Sequence, residues 1–296
     1  MIERRQFSYG LLATLGGCLL HRSEAFAQSD RSEKLERDVA ALEKEHGGRL
    51  GVAVLDSTSG RSAAFRGDER FPMCSTFKLL AVAATLARVD SGKDELERRI
   101  RFEARDLVTY SPITKEHVGG DGMSLAELCE ATITVSDNSA ANLLLANLGG
   151  PQGVTAYTRS LGDTLTRLDR IEPDLNEAVP GDPRDTTSPA VMVANLRALT
   201  TGSALSPASR EHLVNWLVGN KTGGTRLRAG LPRNWRVGDK TGSGERGTAN
   251  DVAVIWPSAN RAPVFVAAYL TGSPEDGEQR DATLAAVGRT VVDFLG

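Results

Sequence analysis

The chain has 296 residues, 40% of them hydrophobic and 25% charged, with a formal net charge of -3. Such a composition suits one large globular domain, or two lobes around a cleft. No long basic run points to nucleic acid, and no acidic tail points to disorder.

The first segment reads as a leader. Arg4-Arg5-Gln6-Phe7 is a twin-arginine pair, an apolar stretch runs from Gly10 to Leu20, and Ala25-Phe26-Ala27 follows. A charged start, a short apolar stretch and an A-x-A site describe a secretory signal of the twin-arginine type. The stretch is too short and too glycine-rich to span a bilayer. Cleavage is expected after Ala27, leaving a catalytic domain over 28–296 exported to the periplasm. Leu15-Gly16-Gly17-Cys18 also has the look of a lipoprotein signal, but the A-x-A site competes with it. Export permits disulfides. Only Cys74 and Cys129 remain after cleavage, and they are expected to be two buried thiols.

Ser32 to His46 is predicted to be a helix, with Leu35, Val39 and Leu42 on one face and Gly47-Gly48 ending it. Leu50 to Leu55 and Ser62 to Phe65 read as a hairpin around the polar turn DSTSG. Phe77 to Val89 reads as a buried helix. Ser124-Leu125-Ala126-Glu127 is a capping box, and Ser139 to Leu148 a helix closed by Gly149-Gly150. From Arg167 to Pro189 no period persists, although Ile171, Leu175 and Val179 are apolar, so a packed Ω-loop is expected. Helices follow at about Ala190 to Leu199 and Ala208 to Val218. Trp235 to Gly238, Asp251 to Trp256 and Val264 to Leu270 have strand character, and about Ala282 to Phe294 is a final helix.

The fold class is therefore α+β. An antiparallel sheet of about five strands is drawn from both chain ends and covered by the terminal helices. A mainly helical lobe, about 69–219, is inserted between the two parts of an α/β lobe, about 28–68 and 220–296. The cleft between lobes is the natural binding site.

Lys78 raises the chemical question, because it sits in an otherwise apolar helix, one turn after Ser75. Lysine is seldom fully buried without a partner. If Ser75 opens the helix, the two residues share a face. A serine needs a base to become a nucleophile, and a lysine whose pKa is lowered by burial can be one. Alone, Ser-x-x-Lys is weak. At frequencies of roughly 6–7% each, a chain of this length holds about one by chance. An N-cap serine with a snorkelling lysine would look the same. Ser136-Asp137-Asn138 precedes a helix, where each residue type also serves as a cap. Lys-Thr-Gly occurs twice. Lys221-Thr222-Gly223 follows a helix and reads as a surface turn; Lys240-Thr241-Gly242 ends the strand NWRVGD, where Lys and Thr can point into the cleft and Gly lets the backbone approach a ligand.

Those three patterns, in that order, resemble the penicillin-binding proteins and the class A serine β-lactamases. The likeness extends from the first helix to the last. EPDLNEAVPGDPRDTTSP, GDKTGSG and TANDVAVIWP are similar to the cefotaxime-hydrolysing and related groups of class A. Glu172-Pro173-Asp174-Leu175-Asn176 separates the two families, since class A enzymes carry Glu-x-x-Leu-Asn as the base that clears the ester. The resemblance implies a cis peptide after Glu172, which proline tolerates.

What the resemblance implies is hydrolysis of the β-lactam ring of penicillins and cephalosporins, and hence antibiotic resistance. Ser75 would attack the carbonyl, with Lys78, or Glu172 through a water, taking its proton. The backbone N–H groups of Ser75 and Ser243 would form the oxyanion hole. Ser136 would protonate the leaving nitrogen. Glu172, with Asn176 beside it, would activate water against the acyl ester. Asn138 would bond the substrate's side-chain amide, and Tyr110 would wall the cleft mouth. Lys240, Thr241, Gly242 and Ser243 would line the carboxylate site, supported by Arg226; Arg228, two residues on, is easily mistaken for it, and Arg280 is the weaker alternative. Arg170 and Asp185 would pin the Ω-loop. Family members that hydrolyse carbapenems often bridge a Cys before the nucleophile to one after K-T-G. Here Cys74 faces Gly244 in that pattern, which counts against strong carbapenem hydrolysis. Ser243 with Gly244 is compatible with cephalosporins as well as penicillins.

No metal or other cofactor is implied, because His21, His46, His117 and His212 are scattered without ligand spacing. The expected partners are a small β-lactam substrate and, through the leader, the export machinery, with no nucleic acid, and the protein is expected to be a monomer. Two rivals share part of the pattern: a D,D-peptidase or penicillin-binding enzyme, and a penicillin-sensing module.

Overall fold

The computed structural model describes residues 30–296. The leader, its cleavage point and Cys18 lie outside the described residues. Helix α1 covers residues 30–46 and stops where Gly47 and Gly48 take φ of 71° and 80°, a backbone region that favours glycine. The chain then runs through β1 (Arg49–Asp56) and β2 (Ser62–Phe65). Much later it supplies β7 (Arg236–Gly244), β8 (Thr248–Trp256) and β9 (Val264–Thr271), and ends in α8 (Gly277–Leu295). These five strands form one sheet in the order β2-β1-β9-β8-β7, every neighbouring pair antiparallel. The expected sheet from both chain ends is thus observed.

The register explains the composition of the strands. Along β9, Phe265, Ala267 and Tyr269 join the core beneath the helical lobe, while Val264, Val266, Ala268 and Leu270 join the core beneath α1 and α8. Side chains alternate between faces at period two. Both faces are covered, so the strand reads as the unbroken apolar run VFVAAYL rather than as an alternating one. Asp276 caps α8 in a capping box with Gln279, and Leu284, Val287 and Val291 bury one stripe of that helix against the sheet.

Between the two halves lie β3 (Phe71–Pro72), α2 (Phe77–Asp90), β4 (Arg99–Ile100), β5 (Met123–Ser124), α3 (Leu125–Thr134), α4 (Asn138–Asn147), α5 (Pro151–Ser160), β6 (Thr186–Thr187), α6 (Pro189–Thr200) and α7 (Pro207–Val218). Helix α2 is buried from Phe77 to Leu86 without interruption, as a helix that is apolar all round must be. Each of its leucines contributes roughly 1.5–3 kcal/mol of burial. The Ser124–Glu127 capping box starts α3 as expected.

The Ω-loop is packed as expected, though only one of the three apolar residues named for it, Leu175, is fully buried, and Val179 is half-buried. Leu175 and Ala178 are buried, whereas Ile171 is 46% exposed. Its neck is closed by β6 pairing with β3 and by a bridge between Arg167 and Thr186. Cys74 and Cys129 are both free and buried, as expected.

Candidate active site

Ser75 does not open an α-helix. It sits in a 3-10 turn, Cys74–Thr76, that feeds α2. Hydrogen bonds to the residues just before it fasten this turn: the Asn250 side chain donates through Nδ2 to Pro72 O at 2.9 Å and to Met73 O at 3.0 Å, and Met73 N donates to Asp185 O at 2.9 Å. A Cβ placed on Gly242 would fall 2.8 Å from Met73 O and 3.2 Å from Ser75 N. Only glycine lets β7 run so close to the serine turn. Segments more than 160 residues apart in sequence are thereby held together.

Glu172 is the junction of the site and is 1% exposed. Its Oε1 accepts from Ser75 Oγ at 3.1 Å and from Lys78 Nζ at 3.0 Å. Its Oε2 accepts from Asn176 Nδ2, which also reaches Pro173 O at 3.1 Å. The Glu172–Pro173 bond is cis. Lys78 was expected to reach toward the Ser75 hydroxyl. Instead both groups meet at one carboxylate oxygen, because the Glu172 side chain lies between the turn and the helix. Nζ of Lys78 also donates to Ser136 O at 2.8 Å, Ser136 Oγ at 3.3 Å and Asn138 Oδ1 at 2.5 Å. This answers the question of its burial: oxygen partners surround it.

The Ser-Asp-Asn segment divides its labour. Asp137 alone acts as the cap of α4, accepting from Ala140 N at 2.9 Å, and it also holds Ile113 N at 2.9 Å and Thr114 N at 3.0 Å. Ser136, with φ of 59°, and Asn138 turn the other way, toward Lys78. Asn138 is engaged at both ends of its amide, its Nδ2 donating to Thr109 O at 2.9 Å. Tyr110, 57% exposed, sits on the same strap, and its carbonyl accepts from Asn138 N at 3.0 Å.

Lys240 crosses from β7 to donate to Ser136 Oγ at 3.0 Å and to Thr241 O at 2.8 Å. Thr241 does not open freely into the cleft, since its Oγ1 lies 2.5 Å from Thr222 Oγ1. The first Lys-Thr-Gly is therefore more than a surface turn. Lys221 is exposed, but Thr222 braces Thr241, and Gly223 is buried against Asp239, where a Cβ would fall 1.9 Å from Oδ2. Of the three candidate arginines, Arg226 is the one that reaches Gly242 and Ser243 on β7. It donates to Gly242 O at 2.7 Å, Asn250 O at 2.8 Å and Ser243 Oγ at 2.7 Å, and Asp281 holds it at 2.7 Å. Arg228 instead pairs with buried Asp239, and Arg280 with Glu275 O.

The loop that carries Glu172 is pinned at its neck. Arg170 Nε donates to Asp185 Oδ2 at 2.6 Å, and Asp185 Oδ1 accepts from the backbone N of Asp169 at 2.8 Å and of Arg170 at 3.0 Å. Arg170 also pairs with Glu177 at 2.7 Å. At the far side, Glu245 N donates to Asn176 O at 2.8 Å.

Asn142 is a functional residue that sequence reasoning missed. Its side chain grips both backbone groups of Glu172: Nδ2 donates to Glu172 O at 2.9 Å, and Oδ1 accepts from Glu172 N at 2.9 Å. The available signal was its position four residues after Asn138, on the same helix face. Thr222, Asn250 and Asp281 were missed for a different reason, since nothing in local spacing ties them to the site.

Burial dominates the electrostatics. It pushes the Lys78 pKa below the ordinary lysine value, against the pull of Glu172. It pushes Lys240 well below that value, and the nearby Lys78 charge pushes the same way. Beneath them, burial raises the carboxyl pKa of Asp239 and raises that of Asp251 well above the usual range. Among the described residues, no group of three or more His, Cys, Asp or Glu is arranged to hold a metal.

A model of the β-lactamase enzyme family matches residues 34–295. The β-lactamase CTX-M-8 of Citrobacter amalonaticus is 49% identical over 275 residues, 93% of each chain. The β-lactamase OXY-2 of Klebsiella oxytoca is 46% identical over 295 residues, 100% of each chain. Among solved structures, the class A β-lactamase of the last common ancestor of Gram-negative bacteria superposes with a TM-score of 0.87 at 64% identity, covering 88% of this chain and 99% of that one.

Proposed function

The chain belongs to the class A serine β-lactamases and hydrolyses β-lactams, and we propose that it does so through an acyl-enzyme on Ser75 that Glu172 clears. The observation that carries this reading is the shared oxygen: Glu172 Oε1 bonds both the Ser75 hydroxyl and the Lys78 ammonium. Either of two bases can serve acylation. Glu172 already bonds the serine hydroxyl, and burial lowers the Lys78 pKa, which eases loss of a proton from that lysine.

Attack of Oγ on the ring carbonyl puts negative charge on the carbonyl oxygen. Backbone N–H groups of Ser75 and Ser243 receive it; the close approach of β7 at Gly242 supports that placement. Losing one such donor typically costs about 2.7–4 kcal/mol. The ring C–N bond breaks, and Ser136, bonded by both Lys78 and Lys240, gives its proton to the nitrogen. Lys240 and Ser243, backed by Arg226, hold the substrate carboxylate. Tyr110 walls the mouth, and Asn138 takes the substrate's side-chain amide with whichever amide hydrogen bond it releases. Deacylation then has one base. Glu172 draws a proton from water, and Asn176 Oδ1, buried without a protein partner among the described residues, is the second acceptor for that water. The Arg170–Asp185 pair keeps the loop in place.

The lobes of about 28–68 with 220–296 and about 69–219 close on this crevice. The chemistry calls for no metal or other cofactor, and the enzyme acts as a monomer. The twin-arginine leader delivers it to the periplasm, giving resistance where the drug arrives. Among the described residues, no helix is long and apolar enough to cross a membrane. Sustained turnover of a chromogenic cephalosporin tests the reading against the D,D-peptidase. Continuous hydrolysis that is lost in Ser75→Ala is expected. A single burst followed by silence would refute it.

A further inference from the structure

Behind the Ω-loop, on the side away from Ser75, lies a cavity of about 610 Å³. One wall is the loop itself, including Leu175, Ala178 and Val179. The opposite wall is scaffold: the start of β1, the segment entering β3, and the β7–β8 turn. Five arginines line it, namely Arg49, Arg70, Arg170, Arg184 and Arg246. Two acidic residues line it with them, Glu69 and Asp182.

The balance of partners matters more than the count. Arg49 pairs with Glu69 at 3.0 Å, Arg184 with Asp182 at 2.6 Å, and Arg170 with Asp185 at 2.6 Å. Arg70 and Arg246 have no carboxylate partner among the described residues. Arg70 uses only Nη1, on Leu165 O at 3.0 Å and Thr186 Oγ1 at 2.9 Å. Arg246 uses only Nε, on Glu177 O at 3.2 Å. Their remaining N–H groups, Nε and Nη2 of Arg70 and both terminal nitrogens of Arg246, have no protein acceptor among the described residues. With five guanidinium groups against two carboxylates the lining is net positive, and such a concave wall concentrates anions. A guanidinium edge matches phosphate oxygens two at a time.

We propose that this cavity is a binding site for a compact diphosphate-type anion, which bridges Arg70 and Arg246 on the scaffold wall and so steadies the two guanidinium groups that bond the Ω-loop at Thr186 Oγ1 and Glu177 O. The site is separate from the crevice, and neither arginine touches the groups that act on substrate. A ligand there stabilises the closed loop by mass action.

Inorganic pyrophosphate is the probe, compared with sodium chloride at equal ionic strength. Wild-type protein should show a saturable rise in Tm and one binding site by calorimetry. In the double variant Arg70→Gln, Arg246→Gln, affinity should fall about tenfold or more while benzylpenicillin kcat and KM stay unchanged. A second measurement needs no variant. In wild type, pyrophosphate should raise amide-exchange protection over residues 177–186. No binding, equal binding by the double variant, or protection confined to residues 240–243 would overturn the proposal, the last by placing the anion in the crevice.

Discussion

Asn142→Asp isolates the clamp on the catalytic loop. Asparagine donates to Glu172 O and accepts from Glu172 N, both at 2.9 Å. Aspartate keeps the acceptor but cannot donate, so it sets an oxygen against the Glu172 carbonyl. The loss is one hydrogen bond, about 0.5–1.5 kcal/mol net, plus about 1–3 kcal/mol for a carbonyl left unpaired in a part-buried place. The sum is about 1.5–4.5 kcal/mol, which for a chain of this size lowers Tm by roughly 3–8 °C. In the proposed mechanism Glu172 can serve both steps, and deacylation has no other base. The acyl-enzyme of benzylpenicillin should therefore accumulate, with kcat falling much more than the acylation rate in stopped-flow. Unchanged kcat, or equal losses in the two steps, would refute the argument that Asn142 acts by positioning Glu172.

The anchor's charge can be followed by pH. Lys240 must be charged to hold a carboxylate, and its pKa lies well below the ordinary lysine value, so anchoring is lost as pH rises through that lowered pKa. The alkaline limb of benzylpenicillin kcat/KM should move to higher pH in Lys240→Arg, whose guanidinium stays charged; a limb that does not move excludes Lys240 as its source. Gly244→Ala tests the contact of β7 with the Ω-loop. The added Cβ would fall 2.6 Å from Cys74 Sγ and 2.7 Å from Asn176 O, so strand and loop must part, and benzylpenicillin kcat should drop by about tenfold or more. Wild-type kinetics in that variant would show that the contact yields without moving Asn176.

What could be read in advance follows from the range of the forces. The sheet was legible because VFVAAYL and DVAVIW are apolar runs of strand length. The reading ended β7 at Gly238, although the strand continues to Gly244. GDKTGSG has little strand propensity, and only pairing with β8 from Thr241–Asp251 to Gly244–Thr248 makes it one. Helix α5 escaped notice because its apolar stripe is thin, with Val154 and Thr158 buried and Tyr157 only half-buried against the core. The motifs named Ser75, Lys78, Ser136, Glu172 and Lys240, but not how they meet. The Ser75–Glu172 bond joins residues 97 apart, and its geometry comes from supports such as Asn142 and Asn250 that carry no motif.

The most direct test mixes Glu172→Gln with benzylpenicillin and follows intact mass over time. Glutamine keeps the shape of the junction and leaves Lys78 able to serve acylation, but it cannot take a proton from water. The protein should gain the mass of one benzylpenicillin on Ser75 and hold it long after the wild-type enzyme has cleared its drug. A variant that returns to its unmodified mass at the wild-type rate would contradict the assignment of Glu172.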